Sequence, residues 1–77
     1  MQSVHTPAYR AFLKRLVAAR QSSGLSQGEV ARLLRVPQSR LSRIESGERR
    51  IDVIELDAIA RVYRKPLSYF VPRRVTA

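Results

Sequence analysis

Seventy-seven residues, 44% of them hydrophobic and none of them cysteine, make one small folded domain and exclude disulfides, thiolate metal sites and general disorder. No apolar run approaches the roughly 18 residues of a membrane span and no signal-like stretch opens the chain, so it is read as cytoplasmic with no membrane partner. The net charge of +9, from thirteen Arg and two Lys against six acids, points to a polyanionic partner, since guanidinium presents a planar fork of donors suited to phosphate and guanine edges.

Residues 1–6 read as a flexible N-terminal arm, 7–71 as the folded domain and 72–77 as a C-terminal tail. Thr6-Pro7 has the form of an N-cap followed by proline at the first helical position. Tyr9, Leu13, Leu16, Val17 and Arg20 then recur at helical spacing, and Gly24 stops the first helix. Ser26 and Glu29 form a Ser-x-x-Glu capping box for a second helix with Val30, Ala31 and Leu34 inside. That helix ends near Arg35, because Val36 precedes a proline and is pushed out of the α region.

Pro37 opens a third helix, 37–46, and Gly47 closes it. Asp52 and Glu55 form a second capping box, for a fourth helix with Val53, Leu56, Ile59, Ala60 and Tyr63 on its inner face. Pro66 ends it, and Leu67–Phe70 make one last turn before Pro72. No segment alternates with a period of two, so the fold is all-α. A link of about three residues between the second and third helices forces a sharp angle, as in a helix-turn-helix.

The third helix is the unusual one. At 100° per residue, Leu41 and Ile44 share a face, and directly opposite them lie Ser39, Ser42, Arg43 and Ser46. Small serines beside an arginine let a helix approach a surface closely while the longer side chain reaches past it. Glutamine suits the N6/N7 edge of adenine and arginine the O6/N7 edge of guanine, so Gln38 and Arg43 are candidates for direct base readout. The two apolar anchors predict that mutating Leu41 or Ile44 unfolds the domain.

The ordered set Arg20, Gly24-Leu25-Ser26-Gln27, Val30-Ala31, Leu41-Ser42, Ile44-Glu45, Gly47, Leu56 and Ile59-Ala60 resembles the Xre family of Cro-like and λ-repressor-like DNA-binding domains. The resemblance runs from about Phe12 to Phe70. It implies a compact five-helix domain with a central helix-turn-helix whose third helix enters the major groove. It also implies that Gln38, Ser39 and Arg43 read bases, and that Arg40, Ser42, Arg49 and Arg50 lie near phosphates. Gln27 would grip a phosphate and buttress Gln38, and Arg20 would pair with Glu45 inside the domain. Two positions depart from the family pattern. Arg35 stands where a glycine is common, at a turn suited to positive φ. Pro37 stands where a serine or threonine often caps the recognition helix, leaving its first amides to water or a phosphate.

These readings imply a sequence-specific double-stranded DNA-binding transcriptional regulator, a repressor, acting as a homodimer on an inverted-repeat operator. Leu67, Tyr69, Phe70 and Val71 either form the dimer interface or close the core. The alternative is an antitoxin-type module that binds both its operator and a partner protein. The closed apolar pattern argues against a lipid-bound amphipathic helix. No nucleophile–base pair, carboxylate dyad or phosphate loop suggests an enzyme. His5 has no companions for a metal site, and no cofactor or small-molecule effector is expected.

Overall fold

The computed structural model describes residues 6–71. Most of the N-terminal arm, His5 and the whole of the tail 72–77 lie outside the described residues. Five helices follow in order: α1 (Pro7–Ser22), α2 (Gln27–Leu34), α3 (Gln38–Ser46), α4 (Val53–Tyr63) and α5 (Leu67–Phe70). The fold is all-α. Thr6 caps α1 by accepting the Tyr9 N–H at 3.1 Å. Both capping boxes form, Ser26 with Glu29 at α2 and Asp52 with Glu55 at α4. Pro37 stands one residue before α3, as its N-cap, so the helix begins at Gln38.

Three helices end in the same way. The residue after the cap turns left-handed or the cap itself does, and the N–H groups of that residue and the next fold back onto the last turn. At α1 the bonds are Gly24 N–H to Gln21 O and Leu25 N–H to Arg20 O, with Gly24 at φ 75°. At α2, Arg35 takes the left-handed position at φ 61°, and Arg35 and Val36 donate to Arg32 and Ala31. At α4, Arg64 does so at φ 58°, and Arg64 and Lys65 donate to Arg61 and Ala60. Only the first of the three uses glycine. A non-glycine residue there costs about 1 kcal/mol in backbone strain, which the satisfied carbonyls offset.

The core forms where α1, α2, α3 and α4 meet, with Phe70 of α5 closing one end. Leu16, Ala19, Val30 and Phe70 are wholly buried, and Leu41, Ile44 and Ile59 nearly so. The four helices after α1, of 4 to 11 residues, are too short to persist alone in water, so this shared burial holds them. The inner face of α1 is rotated from its expected centre by roughly 50°, at 100° per residue. Phe12 and Ala19 lie inside, while Val17 sits at the edge, half-buried. Val53, expected inside α4, is instead 64% exposed. It is the first residue of its helix, and it borders a shallow depression with Tyr9, Ile51 and Leu56.

Candidate nucleic-acid interface

Residues 35–37 connect α2 to α3. The left-handed Arg35 reverses the chain, and Pro37 at φ −64°, ψ 146° delivers it into the next helix. Leu41 and Ile44 bury α3 on one side. Gln38, Ser39, Ser42, Arg43 and Ser46 are all exposed on the other. The α3 N-terminus has neither a side-chain cap nor an acidic residue in its first turn, so its exposed amides favour anions. Ser46 is occupied locally: its hydroxyl donates to Arg43 O at 3.1 Å and accepts from Glu48 N–H at 3.3 Å. Arg43 has only a 4.0 Å approach to Glu48, with both side chains well exposed, a pair worth little in water.

Behind this surface lies a polar network that locks α3 to α1 and α2. Arg20 donates from Nε to Glu45 Oε2 at 2.7 Å and from Nη2 to Oε1 at 3.1 Å, and from Nη1 to Leu25 O at 3.0 Å. Gln27 Nε2 donates to the same Glu45 Oε1 at 2.8 Å. The hydrogen bonds it donates to Glu45 raise the Arg20 pKa above its ordinary value despite partial burial. Tyr63 is nearby, and burial, with the Glu45 charge adding, pushes its hydroxyl well above the usual tyrosine value.

In the free domain Gln27 is tied into this network. Its amide is directed to Glu45 rather than to Gln38, because the carboxylate offers a charged acceptor and leaves Arg20 a bidentate partner. Gln38 rests elsewhere, its Oε1 lying 3.3 Å from where a Cβ on Gly28 would stand.

The arginines expected near phosphates flank α3. Arg40 and Arg49 both donate to Glu55 Oε2, at 3.2 and 3.3 Å, while Glu55 Oε1 accepts the Asp52 N–H of the capping box. In the sequence Glu55 is marked only as a capping residue. No local spacing marks its second role, which depends on how α4 packs beside α3. Arg50 stacks its guanidinium 4.7 Å from the Tyr9 ring centroid.

The C-terminal residues divide. Phe70 is wholly buried, so it closes the core and has no surface to offer a second chain. Tyr69 is half-buried, with Lys65 at 4.8 Å and Arg15 at 5.6 Å from its ring centroid. Leu67 and Val71 are exposed, 39% and 62%. Among the described residues, no group of three or more His, Cys, Asp or Glu side chains could hold a metal. None of the helices described is long and apolar enough to cross a membrane.

A three-residue turn leading into a helix anchored on one face and cationic on the other defines the class: a helix-turn-helix domain. A family model described as helix-turn-helix matches residues 16–70, and the chain belongs to this Cro/C1-type, Xre-like family. It is therefore a DNA-binding module of the transcription-regulator type, from a family that is not typically enzymatic. No curated protein matches the chain.

Proposed function

We propose that this protein is a sequence-specific transcriptional repressor that inserts α3 into the major groove of double-stranded DNA. One observation carries the reading: Ser39 and Arg43 stand exposed on the face opposite buried Leu41 and Ile44, with Gln38 exposed at the start of the same helix. Gln38 and Ser39 lie in the first turn, where recognition helices meet base edges. Arg43, one turn further along, suits guanine. Ser42 flanks this face, and Arg40, Arg49 and Arg50 supply phosphate contacts around it. Arg40 and Arg49 share Glu55 in the free domain, so a phosphate would compete with that carboxylate for them. Gln27 retains one amide N–H beyond its bond to Glu45, which a phosphate oxygen would accept.

One helix-turn-helix spans only a few base pairs, so the working unit is a homodimer on an inverted repeat with half-site centres about 10–10.5 bp apart. Among the described C-terminal residues, Leu67 and Val71, with the half-buried Tyr69, have apolar surface left for that contact. In vitro selection from random duplex DNA tests the reading. The expected product is an enriched, two-fold symmetric site. Failure to enrich any site, with equally tight binding to structured RNA at matched salt, would overturn it.

A further inference from the structure

Gly28 stands at the second position of α2 and has no backbone reason to be glycine. Positive φ among the described glycines belongs to Gly24 and Gly47, so Gly28 takes an ordinary helical conformation that any residue adopts. Glycine in such a position weakens a helix relative to alanine. What the site requires is space. A Cβ at Gly28 would stand 3.3 Å from Gln38 Oε1, 3.8 Å from its Cδ and 3.9 Å from Ser26 Oγ. The Gln38 carboxamide thus lies against bare backbone of the first turn of α2. Gln27, the other side chain able to support it, is bound to Glu45 instead.

We infer that Gly28 is a positioning residue for base readout: its missing side chain seats the Gln38 carboxamide on α2 and so sets how that amide meets a base. The inference rests on the proposed reading of α3 as the base-reading helix. A methyl group at residue 28 leaves the helix favourable and displaces Gln38, which is exposed and free to yield. The consequence falls on the aim of the amide rather than on the fold. A bidentate contact to adenine tolerates little such displacement, because both of its hydrogen bonds depend on one amide plane.

The test uses the site selected by the native chain and its single-base variants, with Gly28→Ala, Gly28→Leu, Gln38→Ala and the Gly28→Leu/Gln38→Ala double variant. Gly28→Ala is expected to melt no lower than the native chain and to bind non-specific duplex with an unchanged salt dependence. Its preference at one base pair of each half-site should fall about three- to tenfold, with a larger fall for Gly28→Leu. Gln38→Ala should lose preference at that same base pair, and adding Gly28→Leu to it should change nothing further. Unchanged preference in Gly28→Leu, or a loss that persists undiminished in the Gln38→Ala background, would overturn the role of Gly28 alone. If Gln38→Ala leaves every base preference intact, the reading of Gln38 fails and the inference fails with it.

Discussion

Replacing Arg20 with alanine removes the largest single electrostatic contribution that the structure allows to be isolated. Glu45 keeps only 5% of its side-chain surface exposed, and Arg20 only 13%. Two of the three hydrogen bonds to the Glu45 carboxylate come from Arg20, and the third comes from the neutral Gln27 amide. In Arg20→Ala the carboxylate stays largely out of water with one neutral donor, a situation that costs about 3–5 kcal/mol. A domain of this length has about 4–12 kcal/mol in total, so the variant should be near the edge of folding. Its Tm should drop by about 15–30 °C. Equilibrium urea unfolding followed by circular dichroism at 222 nm measures the loss directly.

A second variant separates lost packing from stranded charge. Adding Glu45→Gln to Arg20→Ala removes the unpaired charge and should recover about 1–2 kcal/mol. Both differences should persist in high salt, because a buried pair is poorly screened. A cost below about 1 kcal/mol for Arg20→Ala would place the pair with exposed salt bridges. That result, or an absence of rescue by Glu45→Gln, would refute the argument that burial gives this pair its weight.

Three further predictions concern separate sites. Arg43→Ala should cost about 1–3 kcal/mol on the selected site and relax preference at one base pair, read by competition binding; a uniform loss on all sequences would make Arg43 a phosphate contact. Arg35→Gly should leave stability unchanged or raise it by up to about 1 kcal/mol, since relief of the left-handed strain is opposed by the looser unfolded chain. Arg35→Val should lower stability in the same urea assay. The Tyr63 hydroxyl is buried without a hydrogen-bond partner among the described residues, and its raised pKa means that the unfolded chain ionises first. Its stabilising contribution is full below the ordinary tyrosine value of 10.0 and is lost as pH rises above it toward the folded value. Tyr63→Phe should be neutral or slightly stabilising near pH 7 and should flatten part of the alkaline loss in a pH series of melts.

The helix boundaries were legible in the sequence because their causes are local. Thr6-Pro7, the pairs Ser26/Glu29 and Asp52/Glu55, and the stop at Gly47 all act within about one helical turn of the residue they satisfy. The anchored and free faces of α3 were legible too, since the side-chain positions follow from the helical period. Other features arose only when helices met. The rotation of α1 that buries Phe12 and Ala19 is set by what α3 and α5 present to it. The exposure of Val53 reflects the edge of the packed unit, which periodicity does not locate.

The candidate site shows the same division. The helical period placed Ser39, Ser42, Arg43 and Ser46 on one face with Gln38 in the first turn, and Arg35 stood out as a point of strain only against the family pattern, where a glycine is common. Nothing in the spacing revealed that Arg64 would take the same left-handed geometry. The commitment of Gln27 to Glu45, the sharing of Glu55 by Arg40 and Arg49, and the burial of Phe70 were decided by tertiary structure. Each joins groups that local rules do not relate, and charge pairing and apolar burial reward whichever groups the fold brings within reach. Gly28 lies between the two cases. Its place in a first helical turn follows from the capping box at Ser26, and only the packing of α3 across α2 supplied a reason for a glycine there.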